Sequence, residues 1–297
     1  MAKPEMKDFS FDGNGNFSIK KLPTKIEDLY VDEADYLAQL SELHKKIDKL
    51  QSRMYAHGRY GMVILFQALD AAGKDGTIKA VFSGINPAGI VVHSFKRPSA
   101  EELDHDFMWR SMLKMPQRGQ LAIHNRSYYE EVLVVKVHPS ILLEGQRLPE
   151  DQTKNLEKVW EERYDSIKHY EKHLHQNGFE VVKFFLNVSK KEQSKRLIER
   201  IEDPDKNWKF EEQDVKERAF WKEYHEAYQE LVDQTATEHS PWYVIPADDK
   251  KNMRLMVAQV IHDRLSKLKM EYPASSPERH EFLQSLIATI KKQEAED

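Results

Sequence analysis

Residues 62–69, "MVILFQAL", form an almost unbroken apolar run. Successive side chains of a strand point to opposite faces, so such a run must be buried on both. That describes a strand inside a parallel sheet, and parallel neighbours need crossover connections of a dozen or more residues, usually helical. Four more short runs of the same kind follow: "IVVHSF" (90–95), "QLAIHN" (120–125), "EVVKFFLNV" (180–188) and "WYVIPA" (242–247). Segments of helical periodicity separate them. The alternation predicts an α/β fold in three layers, with a five-stranded parallel sheet between helices.

Helices are expected over about 73–83, from Ser99 to Lys114, 150–177, 190–201, 211–235 and 250–269. Ser99 with Glu102 makes a capping box. "YYEEVLVVKV" reads as helix or irregular apolar packing. Before the first strand, Tyr36, Leu37, Leu40, Leu43, Ile47 and Leu50 recur at helical spacing, with Gly58 as the stop. Residues 1–30 read as an extended polar arm. After Pro273, "FLQSLIATIKK" reads as a peripheral helix packed on the body or, as the alternative, on a partner subunit. The expected division is 1–57 arm and helix, 58–270 main domain with a lid over about 189–212, and 271–297 tail.

With no cysteine, disulfides and Cys–zinc sites are excluded and a reducing, cytoplasmic compartment fits. The first residues lack the apolar core of a secretory signal. No apolar run approaches the roughly 18 residues of a membrane span. A net charge of −5 argues against nucleic-acid binding driven by overall charge, though a local basic channel remains compatible with it. Neither a nucleic acid nor a membrane is therefore an expected partner.

The first strand runs directly into "DAAGKDGTIK" (70–79). A phosphate-binding loop has the pattern G-x-x-x-x-G-K-[ST] between strand and helix. Here Gly73 and Lys74 hold their places, Ala68 replaces the leading glycine and Asp75 the Ser/Thr. Small residues let the backbone approach an anion, the helix N-terminus offers unpaired N–H groups, and Lys74 adds a point charge. Asp70 among phosphates implies a cation or a proton-handling role; its bland alternative is loop capping. Asp75 reads as a first-turn residue favoured by the helix dipole, or as a metal ligand in place of Ser/Thr. Thr77 and Lys79 follow on the helix. The third strand ends in "HNRSYYEE", where a carboxylate is expected. Asn125 stands there, followed by Arg126, suited to bidentate phosphate contact, and by Glu130, which restores negative charge. After the fourth strand, Arg196 and Arg200 share a helix face with Lys190, Lys191 and Lys195 nearby; the choice is between a phosphate-covering lid and a solvated face. "DEAD" (32–35) precedes the loop on a helix and reads as chance. His169, His173 and His175 read as solvated. No guanine-reading N-K-x-D follows the fifth strand.

Five ordered strings, "DAAGKDGTIK", "GINPAGIVVHSFKRPSAEELDHDFMWR", "MPQRGQLAIHNRSYYEEVLVVKVHP", "NVSKKEQSKRLIERIEDPDKNWKF" and "SPWYVIPADDKKNMR", resemble the polyphosphate kinase 2 family over roughly Tyr30 to Lys269. The resemblance implies a P-loop kinase fold similar to thymidylate kinases, with reversible phosphoryl transfer between inorganic polyphosphate and AMP, ADP or ATP. It implies Mg²⁺, with Mn²⁺ as an alternative, and a homo-oligomer, dimer or tetramer. Asp70 and Lys74 match the family's essential loop residues and Arg126 its strand-end arginine, giving the catalytic set. Ala72, Gly73, Lys74, Asp75, Gly76, Thr77 and Lys79, with the lid positions Arg196 and Arg200, would hold polyphosphate. Arg118, Asn125, Arg126 and Glu130 would face the nucleotide. Asp70 and Asn125 are the metal candidates. Asn125 departs from branches that carry Asp there; with "GKDG" and Glu130 it resembles the branch acting on both AMP and ADP. The alternatives are an ATP-dependent nucleoside monophosphate kinase and a non-catalytic polyphosphate or nucleotide sensor.

Overall fold

The computed structural model describes residues 6–296; the first five residues of the expected arm and Asp297 lie outside it. In chain order the elements are β1 (Ser10–Phe11), α1 (Glu33–His57), β2 (Gly61–Gln67), α2 (Lys74–Phe82), β3 (Ile90–Ser94), α3 (Ala100–Leu103) and α4 (Trp109–Met112). Then come β4 (Leu121–Asn125), α5 (Val134–Val137), α6 (Leu156–Gln176), β5 (Phe179–Asn187), α7 (Lys190–Glu202) and α8 (Glu212–Glu217). The chain closes with α9 (Trp221–Thr235), β6 (Trp242–Pro246), α10 (Lys250–Ser266) and α11 (Pro277–Glu296).

The sheet order is β1-β6-β5-β2-β4-β3. Strands β2 to β6 are parallel, as the apolar runs require. The sheet has six strands and not five, because β1, from the arm, pairs antiparallel with β6 through Ser10–Tyr243 and Phe11–Trp242. A two-residue strand carries no periodicity to read. The central strand β2 is buried at every position. Its side chains divide between two cores: Met62, Ile64 and Phe66 face α1, α2 and α10, while Val63 and Leu65 face α6 and α9. Tyr36, Leu40, Leu43 and Ile47 of α1 belong to the first of these cores, so packing does not break at the expected 57/58 boundary. Asp32 of "DEAD" caps α1 by accepting from Asp35 N, and Gly58 ends it at φ 65°.

Three expected helices differ. The 99–114 helix keeps its capping box but splits into α3 and α4, because the Asp106 side chain accepts from Met108 N and competes with the helical backbone. The 150–177 helix starts only at Leu156, where Asn155 caps it. The 211–235 helix is broken at Arg218–Phe220 into α8 and α9. The tail helix α11 forms, but every residue from 271 to 295 is exposed, so the expected packing on the body is not found.

Candidate active site

The C-terminal ends of β2, β4 and β5 converge on the loop between β2 and α2, the place where open parallel sheets bind ligands. The loop turns through two positive-φ residues, Ala71 (59°) and Gly73 (108°). Gly73 caps α2, and a Cβ there would lie 3.2 Å from Met253 Cε in addition to the unfavourable φ. Lys74 folds back so that Nζ donates to Ala68 O at 2.8 Å. Burial, followed by the nearby Arg126, pulls the Lys74 pKa below that of an ordinary lysine, while Asp70, Glu130 and Asp75 oppose the shift.

Arg126 sits at φ 64°, just past β4, with its N–H on Phe66 O. Its guanidinium donates to Asp70 Oδ1 at 3.0 Å and lies 3.8 Å from Glu130 Oε2. Burial raises the Glu130 pKa against the opposing pull of Arg126 and Lys74. Beneath them is the fully buried Gln67. Oriented with its amide nitrogen on Glu130 Oε1 (2.6 Å) and its oxygen on Ser127 Oγ (2.9 Å), it satisfies both groups. The sequence-derived trio Asp70, Lys74 and Arg126 therefore meets, with Glu130 beside it.

Other predicted residues hold the loop in place. Arg196 is buried (6% exposed) and donates to the carbonyls of Ala71, Ala72, Ala247 and Asp248 and to Glu192. It braces the loop from below and, against expectation, is not a lid cation, because its planar, five-donor group is taken up by four backbone carbonyls. Arg200 pairs with Asp214 of α8 at 3.0 Å, which ties α7 to α8 over the site. Thr77 is buried and its hydroxyl donates to Gly73 O (2.9 Å), so it stabilises the loop–helix junction with the proton a phosphate would need. Ala72 is buried beneath the loop, while Gly76 and Lys79 are exposed on α2. Asn125 Nδ2 donates to Asp75 Oδ1 at 2.7 Å, coupling the strand end to the first turn of α2.

Arg118 lies at the other end of the sheet. It donates to Arg59 O and Asn177 O, and its guanidinium covers the Phe179 ring at 4.9 Å. These groups flank the first residues of β2 and β5, so the expected nucleotide contact is replaced by a clamp on the strand N-termini. Arg118→Ala is expected to leave turnover within about twofold of wild type, the range of changes remote from the chemistry, and to lower thermal stability slightly. Parallel kinetic and calorimetric measurements check this.

Sequence reading missed the wall opposite the loop. A cleft beside Asp70, Arg126 and Glu130 is closed by Gln193, Asp214, Glu217, Arg218, Trp221 and Tyr224. Gln193 Nε2 donates to Asp70 O, and Arg218 in turn donates to Gln193 Oε1, so α7 and the α8–α9 junction grip the loop. Arg254 of α10 stands against the first turn of α2, its Nη2 3.6 Å from where a Cβ on Gly76 would be. A buried network was also missed. Lys183 of β5 donates to Glu171 Oε2 (2.7 Å), Tyr129 OH (3.1 Å) and Thr235 O (2.8 Å). Tyr128 and Tyr129 both donate to Glu171 Oε1. Burial, then the Glu171 charge, pushes both tyrosine pKa values well up. These tyrosines directly follow Arg126 and Ser127, so the network anchors the segment that carries the site arginine.

Among the described residues no group of three or more acidic or histidine side chains could hold a metal, the His169–His175 segment included. Mg²⁺ is ordinarily held by one or two carboxylates plus phosphate oxygens and waters. Asp70, exposed enough to meet a ligand and lining the cleft beside Lys74, fits that sparse arrangement.

A parallel sheet with a Gly-Lys loop after its central strand, and an arginine and carboxylates converging on that loop, define a P-loop kinase fold. A family model described as Polyphosphate kinase 2 (PPK2) matches residues 30–274. The chain is 46% identical over 290 residues to an ADP-polyphosphate phosphotransferase of Rhodopseudomonas palustris, covering 98% of this chain and all of the relative. It is 39% identical over 271 residues to an AMP/ADP-polyphosphate phosphotransferase of Meiothermus ruber, covering 90% and 96%. The crystal structure of polyphosphate kinase 2 from Arthrobacter aurescens superposes with a TM-score of 0.84 at 32% identity, covering 96% of this chain and 97% of that one. The chain belongs to the polyphosphate kinase 2 family.

Proposed function

We propose that this protein transfers a phosphoryl group between inorganic polyphosphate and AMP or ADP, forming ADP or ATP, reversibly and with Mg²⁺ or, in its place, Mn²⁺. The observation that carries the reading is the meeting of Asp70, Lys74 and Arg126 at the strand ends, in a chain similar along its length to relatives named for this activity. A terminal phosphate oxygen of the nucleotide attacks the end phosphorus of polyphosphate in line. That oxygen is anionic at neutral pH, so positioning and charge neutralisation suffice. Lys74 and Arg126 clamp the transferred group. Glu130 holds Arg126, and Arg196 fixes the loop backbone whose N–H groups meet phosphate. Asp70 would hold the cation, with Asn125 as its candidate neutral partner. The cation, when bound, offsets the negative charge gathered on the phosphates.

The experiment combines the protein with Mg²⁺, polyphosphate and AMP or ADP and measures ADP and ATP. Product should form from polyphosphate without ATP as donor, and chelation should abolish it. ATP-driven AMP phosphorylation indifferent to polyphosphate would indicate a nucleoside monophosphate kinase; binding without turnover would indicate a sensor. Asp70→Ala is expected to lose about 100-fold or more in turnover, and retention of turnover would sink its metal role. The cytoplasm and a homo-oligomer, dimer or tetramer, complete the reading.

A further inference from the structure

The helix α11 carries an apolar stripe that is exposed along its described residues. Phe282, Leu283, Leu286, Ile287 and Ile290 are 36–55% exposed, and their spacing places them on one face. A 20-residue helix in water is marginal unless its apolar face is covered. It also lies beyond residue 274, where the family match ends. Two charges share that face. Arg279, Leu283, Leu286, Ile290 and Glu294 follow one another at steps of four, three, four and four residues, so a cation and an anion bracket the apolar seam. The Arg279 guanidinium lies over the Phe282 ring at 5.4 Å.

We propose that α11 is an assembly helix that pairs antiparallel with α11 of a second copy of this chain. This rests on the reading of the protein as a homo-oligomer. A two-fold axis between Leu286 and Ile287 sets Leu283 of one copy against Ile290 of the other, and Leu286 against Ile287. The same axis sets Arg279 against Glu294 at both ends. The seam is thus complementary to itself, as a two-fold interface requires. A parallel pair would place Arg279 against Arg279 and Glu294 against Glu294, which is repulsive. A lipid surface suits the helix less well, because Glu278, Glu281 and Glu294 would meet anionic headgroups.

The test is sedimentation equilibrium of the full chain at micromolar concentration. Leu286→Glu/Ile290→Glu is expected to halve the assembly mass while ATP formation per subunit stays unchanged. Arg279→Glu alone weakens association about tenfold, because each two-fold pair gains two like-charge contacts. Arg279→Glu/Glu294→Arg restores it to within about threefold. A monomeric wild-type chain overturns both the oligomer reading and this interface. An oligomer whose mass the double glutamate variant leaves unchanged, or a charge swap no better than either single change, overturns the interface alone. Neither result bears on phosphoryl transfer, which is read separately.

Discussion

Lys74→Met is expected to lower polyphosphate-dependent ATP formation by about 10²–10³-fold, the usual loss when one preorganised charge at the transferring group is removed. Methionine keeps the unbranched stem and its packing while deleting the ammonium. The side-chain hydrogen bond lost is that to Ala68 O, which lies in the loop itself. The melting temperature should therefore move by a few degrees at most, and the loss should appear in kcat and not only in KM. The depressed pKa of Lys74 adds a directional expectation. Burial favours its neutral form, so the alkaline fall in turnover attributable to this group should begin at lower pH than for an ordinary lysine. A pH–rate profile of wild type, with Lys74→Met lacking that limb, checks it.

The second large effect concerns stability. Lys183→Met leaves the Glu171 carboxyl without its cationic partner in a site where both side chains are at most 1% exposed. Removing one partner of a buried pair costs about 3–5 kcal/mol, enough to lower the melting temperature on the order of 10 °C in a domain of this size. Lys183→Met/Glu171→Gln should recover more than half of that. Glutamine is neutral and still accepts from the Tyr128 and Tyr129 hydroxyls. Calorimetry on the two single variants and the double variant gives the coupling directly; simple additivity would show that the two groups do not act as a pair.

The parallel sheet was legible because full burial writes itself as runs such as "MVILFQAL", and all five parallel strands lie where those runs predict. Asp70, Lys74 and Arg126 were legible for a different reason: strand-end position and residue chemistry made them candidates, and the family resemblance grouped them as one set. Arg118 and Arg196 show the limit of that logic. A guanidinium in a basic string can face a phosphate or satisfy backbone carbonyls, and only the fold distinguishes the two. Lys183 was invisible because a single charge inside the buried run "EVVKFFLNV" does not say which group neutralises it. Its partner Glu171 lies on a separate helix that looks polar in sequence. The α8–α9 wall escaped notice because its break at Arg218–Phe220 has neither glycine nor proline to mark it.

The pairing of β1 with β6 bears on how the chain is made. Ser10 and Phe11 wait for Tyr243 and Trp242, which emerge from the ribosome more than two hundred residues later. At about 5–20 residues per second the interval is tens of seconds. Throughout it, β2 stands at the middle of a sheet that gains β4 on one side and then β5 on the other. The sheet therefore grows outward during synthesis, and docking of the N-terminal arm is among its last events. Phe11 and Phe17, whose rings meet edge to face with centroids 4.7 Å apart in the finished protein, cannot reach that final packing until the last strand arrives.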